Sequence, residues 1–396
     1  METVAVIVPT CNRANLIKES LDSVLNQTFL PSRVVVVNDG STDGTLDVLA
    51  GYGSRIQVVS QENSGKAAAI SAALSYITED YIWVFDDDDI AVEDAIQRHI
   101  DVFRSSPAID FTYGSYIGFR MLGTGGKKVI ARVDVPELGQ RELFHRLLSW
   151  NFIAQQGVIV KSRVFREVGY RSQFRRSQDY DFILRLSRHH MGKAVFGGPT
   201  FWFRTHEGTR GFGQFSHSVD EAEAIWQRYN QLIFRDLIHS LDLRELLPVE
   251  IPPQQSLPTG LRRRALFHRM ALALKAQMTE QSLEDLRAAI QCDQQPMTPE
   301  ERQEVQSTLY HSLVCLSLAR TPTVLKRIRQ LAVGSLGRQV RVSIGYALLS
   351  VMPRIYRERR RLQDLWILAN AIRLVLGIFV LPQLIRYVAG RTATKT

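Results

Sequence analysis

Short runs of apolar residues alternate with amphipathic segments through about the first hundred residues of the chain. The runs VAVIV (4–8), VVVV (34–37), IQVV (56–59) and YIWVF (81–85) are apolar except for Gln57, which is typical of strands buried on both faces of a parallel sheet. The segment NLIKESLDSVLNQ (15–27) carries apolar residues at helical spacing. This alternation predicts an α/β fold with a mixed, mostly parallel central sheet covered by helices.

The sequence pattern changes near residue 216, where long helical patterns replace the alternation. We therefore predict an α/β domain over residues 1–215, a helical region over 216–330 and a basic, apolar helical tail over 331–396. The 396 residues are enough for two or three such units. Three scattered cysteines exclude a disulfide framework and favour a reducing compartment. The N-terminus has no basic leader, so a secretory signal is not expected.

The positive charge of the chain is concentrated near its C-terminus. Residues 320–396 carry 15 Lys and Arg against two Asp and Glu, a net charge of +13. Because the whole chain has a net charge of +9, the preceding 319 residues have a net charge of −4. Such asymmetry predicts an anionic membrane surface or a nucleic acid as the partner of the tail. The tail lacks the interleaved aromatic residues of a nucleic-acid stacking platform. We therefore expect a membrane surface and no nucleic acid.

An apolar stretch lies within this basic tail. Residues 365–385 contain Arg373 as their single charged residue, and their length approaches the roughly 20 residues of a spanning helix. Three alternatives follow. The stretch lies in the membrane interface, packs within a helical domain, or spans the bilayer.

Four consecutive aspartates, 86–89, follow the fourth apolar run. Crowded carboxylates raise one another's pKa values unless a cation neutralises them. Hard oxygen ligands favour Mg²⁺ or Mn²⁺, which typically join one or two carboxylates to substrate phosphates. Ligands bind beyond the carboxyl ends of the strands in such sheets. The cluster therefore predicts a metal–diphosphate site, with a solvated acidic turn as the alternative.

Two further segments contain aspartates that could face the same crevice. NDGSTDGT (38–45) is either a tight turn or a turn in which Asp39 accepts a hydrogen bond from a nucleobase imide. SQDYDFILRL places Asp179 and Asp181 at a helix start. There they are either favoured by the helix dipole, or one of them serves as a general base.

Basic residues and histidines offer weaker signals. RTHEGTRG (204–211) is either a plain basic loop or a clamp on a leaving diphosphate. The histidines at 145, 189, 190 and 217 stand alone, without metal-ligand spacing. The chain has no nucleophile elbow, Cys-x-x-Cys pair, phosphate-binding loop or dinucleotide fingerprint, so hydrolase, redox and ATPase functions lose their usual support.

Taken together, five motifs resemble the family 2 glycosyltransferases of the GT-A fold over about residues 1–210. They are VPTCNR (8–13), VVVNDGSTDGT (35–45), ENSGKAAA (62–69), FDDDD (85–89) and QDYDFILRL (178–186). The chain departs from the family where the usual Arg-Asn is replaced by Ile70 and Ser71, and where Gln178 stands in place of a common Glu.

The resemblance implies a role for each matching residue. The residues that bind the nucleotide sugar would be Pro9, Thr10, Arg13, Asp39, Asn63, Lys66, Asp86 and Asp88. The cation would be Mn²⁺ or Mg²⁺, with Asp89 as its direct ligand and Asp88 and His206 beside it. Asp179 would be the catalytic base.

These roles predict an inverting glycosyltransferase that uses a nucleoside-diphosphate sugar, with UDP or dTDP favoured over GDP. The acceptor would be a saccharide or a lipid-linked hydroxyl, in polysaccharide or glycolipid synthesis at the inner face of the cell membrane. Two alternatives remain. A nucleotidyltransferase acting on sugar phosphates would typically carry a Gly-rich loop that VPTCNRAN (8–15) lacks. A non-catalytic scaffold would have less reason to keep its aspartates intact.

Overall fold

The computed structural model describes residues 2–123, 125–205, 219–359 and 362–377. The chain divides into two compact units, the first made of Met1–Phe144 and Asn151–Ala222, the second of His145–Trp150 and Glu223–Thr396. The predicted domain boundaries at residues 215 and 330 stay predictions.

A mixed sheet of nine strands forms the centre of the first unit. The strands are β1 (Val4–Thr10), β2 (Arg33–Asp39), β3 (Gln57–Gln61), β4 (Tyr81–Val84), β5 (Ile90–Ala91), β6 (Phe111–Met121), β7 (Lys127–Val133), β8 (Val158–Lys161) and β9 (Gly192–Arg204). Their order is β3-β2-β1-β4-β8-β6-β9-β5, and β7 pairs with β6.

The direction of the strands determines where the functional loops lie. β1 to β4, β6 and β9 run one way, while β5, β7 and β8 run against them. In β1, Ile7 is aligned with Val35 of β2 and with Val84 of β4. The loops after β1, β2 and β4 therefore leave the same edge of the sheet. The predicted mixed, mostly parallel sheet is confirmed.

Helices cover this sheet where its strands are apolar on both faces, as in β1, β2 and β4. The helices up to residue 205 are α1 (Ile17–Leu25), α2 (Thr45–Ala50), α3 (Lys66–Ala73), α4 (Ala95–Ser105), α5 (Gln140–Ser149), α6 (Ser162–Val168) and α7 (Gln178–His189). Val4, Val6 and Val8 of β1 are fully buried in a cluster that includes apolar residues of α1 and α4. Each such side chain contributes about 1.5–3 kcal/mol by its burial. α3 packs against β1 and β2.

The described part of the second unit is helical apart from its loops. Its longer helices are α8 (Val219–Ser240), α9 (Thr259–Lys275), α10 (Thr279–Cys292), α11 (Pro299–Leu309), α12 (Ser312–Ala319), α13 (Pro322–Leu331), α14 (Gly334–Ser350), α15 (Met352–Arg359) and α16 (Leu362–Leu376). One hydrophobic core includes buried residues from α9 to α16.

The first part of the apolar stretch of the tail forms most of α16. Leu368, Ala371, Ile372 and Val375 are buried in the core of the second unit, which favours packing within a helical region for this part of the stretch. Residues 378–396 lie outside the described part of the chain. No helix among the described residues is both long and apolar enough to cross a membrane.

Candidate functional site

Hydrogen bonds join the loops that follow β1 and β2. The side-chain oxygen of Asn12 accepts a bond from the backbone N–H of Thr42 (2.7 Å), and the backbone N–H of Arg13 donates to Oγ1 of Thr45 (2.9 Å). Asn12 has a φ of 55°, a left-handed conformation that asparagine tolerates. These contacts hold the Arg13 side chain near the acidic cluster, where its Nε lies 3.6 Å from Oδ1 of Asp87.

Asp39 is buried at the end of β2 and holds the loop that precedes α3. Its Oδ1 accepts hydrogen bonds from Nε2 of Gln61 (2.7 Å) and from the backbone N–H of Ser64 (2.8 Å). Its Oδ2 accepts one from the backbone N–H of Gly65 (2.8 Å), a residue whose φ of 90° favours glycine. A carboxylate offers about four acceptor positions, so one position on Oδ2 remains for a ligand.

The other predicted residues at this edge lie close to Asp39. Nδ2 of Asn63 donates to the backbone carbonyl of Asp39 (3.0 Å). Pro9 and Thr10 are buried at the end of β1, aligned with Val37 and Asn38 of β2. Both interpretations of the segment 38–45 are therefore compatible with the structure, because it is a turn and Asp39 retains one acceptor position.

Asp86 and Asp89 are held by a lysine and by an amide. Nζ of Lys66, in the first turn of α3, lies 2.5 Å from Oδ1 of Asp86. Nε2 of Gln156 donates to Oδ2 of Asp86 and to Oδ2 of Asp89, each at 2.7 Å. Oδ1 of Asp89 accepts from the backbone N–H of Arg204 (2.7 Å).

The cluster has the donor set of a hard divalent cation. Asp86, Asp88 and Asp89 each present one oxygen, and these oxygens all lie within 4.8 Å of one another. Burial, together with the charge of Asp88, raises the pKa of Asp86 and of Asp89, and the same two causes raise the pKa of Asp87 to about 7. A cation would remove this repulsion, so the residues fit Mg²⁺ or Mn²⁺.

The two aspartates at the start of α7 have different surroundings. Asp181 is buried and forms ion pairs with Arg171 and Arg185. Asp179 is half-buried, and its charge raises the pKa of both Lys66 and Asp86. Asp179 is therefore the aspartate of this helix that interacts with the acidic cluster.

Three residues that the sequence pattern did not indicate also belong to this region. Gln155 donates to Oδ1 of Asp86 (3.4 Å) and accepts from the hydroxyl of Tyr170 (2.5 Å). Gln156, described above, joins Asp86 to Asp89. These amides precede β8 in a segment that reads as an ordinary strand, so no local signal marks them. His206 lies outside the described residues.

A family model matches the N-terminal part of the chain, and curated relatives align with just under half of the chain. The model for glycosyl transferase family 2 matches residues 5–169. A chondroitin synthase and a hyaluronan synthase of Pasteurella multocida are each 29% identical over 187 residues, or 46% of this chain. The aligned region is 19% of the first relative and 18% of the second. The chain thus spans about a fifth of the length of these relatives.

Solved structures share the fold. Staphylococcus aureus TarS 1–349 in complex with UDP-GlcNAc superposes with a TM-score of 0.51 and 17% identity, covering 90% of this chain and 92% of that chain. Its complex with UDP gives a TM-score of 0.50 and 16% identity, covering 90% and 91%. At this identity the likeness concerns the fold, which is of the GT-A type. The family match, the relatives and the fold agree, and residues 5–169 of the chain are similar to glycosyl transferase family 2.

Proposed function

We propose that this chain is an inverting glycosyltransferase that moves a sugar from a nucleoside diphosphate to an acceptor hydroxyl. The observation that carries the proposal is the meeting of Lys66 and Asp179 with three carboxylates that can share a cation, those of Asp86, Asp88 and Asp89. They meet at the edge where the loops after β2 and β4 leave the sheet. In sheets of this class, that edge binds the ligand.

The nucleotide would bind between the loops that follow β1 and β2. The remaining acceptor position on Asp39 suits the imide N–H of uracil or thymine, because a carboxylate only accepts hydrogen bonds. Arg13 and Lys66 bring positive charge toward the phosphates. TarS, a protein of the same fold, is described in complex with UDP and UDP-GlcNAc, which makes UDP sugars the first donors to test.

The chemistry requires a base on one side of the sugar and stabilisation of the leaving group on the other. Asp179 would take the proton of the acceptor hydroxyl while that oxygen attacks the anomeric carbon. The bond from that carbon to the diphosphate oxygen breaks in the same step, so the anomeric configuration inverts. A divalent cation, held by Asp86, Asp88 and Asp89 when bound, would neutralise the diphosphate.

The testing experiment is a donor screen with the full chain. We expect one of the UDP, dTDP and GDP sugars to bind and to be hydrolysed slowly with Mn²⁺ or Mg²⁺ present, and EDTA to stop the reaction. Lipid-linked and oligosaccharide acceptors are then added to that donor. Equal turnover with and without EDTA would contradict the metal site, and no turnover with any donor would favour a non-catalytic scaffold.

We also infer that the enzyme acts in polysaccharide or glycolipid synthesis at the inner face of the cell membrane, with its basic C-terminal region against anionic lipid. The relatives named chondroitin synthase and hyaluronan synthase support a polysaccharide product. The net charge of +13 over residues 320–396 supports the surface. Trp366, which is 70% exposed on α16, is of a type enriched at membrane interfaces.

A further inference from the structure

Two histidines and a glutamate meet in the second unit. His268 and Glu304 lie beyond residues 5–169, which the family model matches, and His145 lies within them. His145 lies in α5, His268 in α9 and Glu304 in α11, and each offers one ligand atom within 4.8 Å of the other two. Nε2 of His145 lies 3.3 Å from Oε1 of Glu304, and the two imidazole centroids are 4.6 Å apart. His268 and Glu304 are 0% and 5% exposed.

The facing atoms of this group lack ordinary hydrogen bonds. Nε2 of His145, Nε2 of His268 and Oε2 of Glu304 are all buried, and among the described residues none of them has a partner with hydrogen-bond geometry. Buried polar atoms without partners are rare, because each costs about 1–3 kcal/mol. A single bound cation could satisfy all three atoms at once.

The surrounding contacts match the outer shell of a metal site. Nδ1 of His268 lies 3.1 Å from the backbone carbonyl of Leu246, so that nitrogen carries the proton and Nε2 presents its lone pair. Metal-binding histidines almost always donate their other N–H in this way. Arg264 donates to Oε1 of Glu304 at 2.7 Å, which orients the carboxylate and leaves Oε2 for an ion.

Besides Arg264, the ammonium group of Lys275 also acts on this group electrostatically, and it has other partners. Its Nζ donates to the backbone carbonyls of Leu148 (3.1 Å) and Ser149 (2.9 Å) and lies 4.1 Å from the centroid of the Phe234 ring. Burial lowers the pKa of Lys275 to about 7, which reduces its repulsion of an ion nearby.

We propose that His145, His268 and Glu304 bind a divalent transition metal of the zinc class and that this ion fastens α5, α9 and α11 together. Two imidazoles and one carboxylate are a zinc donor set, with water in the fourth position. Bonds of about 2.0–2.1 Å in a tetrahedron separate ligand atoms by about 3.3 Å, which is within the 4.8 Å that limits the separation of the three ligand atoms here. The acidic cluster of the first unit, by contrast, has only oxygen ligands.

The experiment uses the full chain with Asp88→Asn, which weakens the acidic cluster as a competing zinc site. The protein is stripped with a chelator, and Zn²⁺ is titrated in competition with a chromophoric chelator. We expect one zinc per chain and a higher melting temperature in its presence. His145→Ala and Glu304→Gln should each weaken zinc binding by at least about 10–100-fold, the range found when only an outer-shell partner is lost.

The matched control is His239→Ala, which removes an exposed histidine from α8 of the same unit and should leave zinc affinity unchanged. If the variant of a metal-binding residue fails to fold, the visible absorption spectrum of Co²⁺ bound to the parent chain tests the site instead. Intense visible bands of a four- or five-coordinate ion support the site, and only the weak bands of a six-coordinate ion overturn it. Absence of stoichiometric zinc, or equal zinc affinity in all the variants, also overturns it.

Discussion

Nζ of Lys66 lies 2.5 Å from Oδ1 of Asp86, which places an ammonium group against the acidic cluster. Burial acts to lower the pKa of Lys66, but Asp86 and, more weakly, Asp179 raise it. The lysine therefore stays charged. It interacts electrostatically both with Asp86, in the cluster after β4, and with Asp179, in the first turn of α7. Asp179 would act as a base close to that positive charge.

We expect Asp179→Asn to lower sugar transfer by about 10²–10⁴-fold, the usual contribution of a general base. An amide of the same size cannot take a proton from the acceptor hydroxyl. Binding of the nucleotide sugar should remain nearly unchanged. Initial rates with the donor found by screening, together with calorimetric titration of that donor, measure the two effects separately.

Asp181→Asn provides the contrast within the same helix turn. Asp181 is 1% exposed and pairs with Arg171 and Arg185, whose side chains are 31% and 23% exposed. Its loss should lower the free energy of unfolding by at most about 3 kcal/mol, because solvent screens the arginines. Transfer should fall only as far as folded protein is lost. If Asp181→Asn lost activity at full stability and Asp179→Asn did not, the assignment of the base would be reversed.

The buried Asp87 gives the metal-free protein a pH dependence. Its pKa is about 7 in the folded chain against 3.8 for a free side chain. Between these values the unfolded chain loses a proton that the folded chain keeps. The contribution of Asp87 therefore lowers the free energy of unfolding as pH rises from about 4 to about 7, by on the order of a few kcal/mol.

Urea unfolding in EDTA at several pH values tests this dependence. Asp87→Asn has no carboxyl group to ionise, so we expect a smaller decline between pH 4 and 7 and greater stability at pH 7. Asp47→Asn, at an exposed position of α2, should keep the full decline. An unchanged decline in Asp87→Asn would mean that other groups cause it.

The sequence predicted the elements whose signals are local. The apolar runs predicted β1 to β4. β1, β2 and β4 are apolar because they are buried on both faces of the sheet, whereas β3 is only partly buried. The aspartates 86–89 were recognised as a group because they are adjacent. Their common location with Asp39 followed from the parallel direction of the strands, which sequence alternation reveals.

Features that depend on distant pairing could not be predicted. Gln156 joins Asp86 to Asp89 only because β8 pairs antiparallel with β4, and nothing near Gln156 indicates this register. His145 looked isolated because His268 and Glu304 lie more than a hundred residues further along the chain. The composition of the apolar stretch in the tail could not show whether it contacts lipid or protein. The structure shows that one face of α16 packs in the core of the second unit.

The proposed membrane contact predicts charge-dependent vesicle binding. The intact chain should bind vesicles that contain phosphatidylserine and should dissociate at high salt, because each basic residue near an anionic surface contributes about 1 kcal/mol. A chain ending at residue 377 keeps the buried residues of α16 but loses Arg386, Arg391 and Lys395. Its affinity should fall by about 10–100-fold. Cosedimentation with and without phosphatidylserine measures this.

The control for vesicle binding changes one charge in the first unit. Lys18→Gln, on the exposed side of α1, should bind vesicles like the parent chain. Equal affinity for vesicles of neutral phosphatidylcholine would show that charge does not drive the contact. Truncation at residue 340 would be a poor test, because it removes Ile344 and Leu348 from the core.

Asp39→Asn should alter which base the protein prefers. In the variant, an NH₂ group would stand in place of Oδ2. In the parent chain this oxygen accepts a hydrogen bond from the backbone N–H of Gly65 and retains one acceptor position. Because this NH₂ group and the backbone N–H of Gly65 are both donors, the hydrogen bond between the two residues would be lost, which should cost about 1–3 kcal/mol of stability. Toward the ligand it would donate rather than accept. Uracil carries an N–H at N3 and cytosine an acceptor, so UDP affinity should fall by about 10-fold or more and CDP affinity by less.

Gln61→Leu separates base recognition from loop support. Gln61 donates to Oδ1 of Asp39 at 2.7 Å, and its loss removes one bond that holds the carboxylate while the acceptor on Oδ2 remains. We expect lower stability but an unchanged ratio of UDP to CDP affinity. Isothermal titration of both nucleotides into the parent chain and the two variants gives that ratio directly. If Asp39→Asn leaves the ratio unchanged, Asp39 supports the loop and does not contact the base.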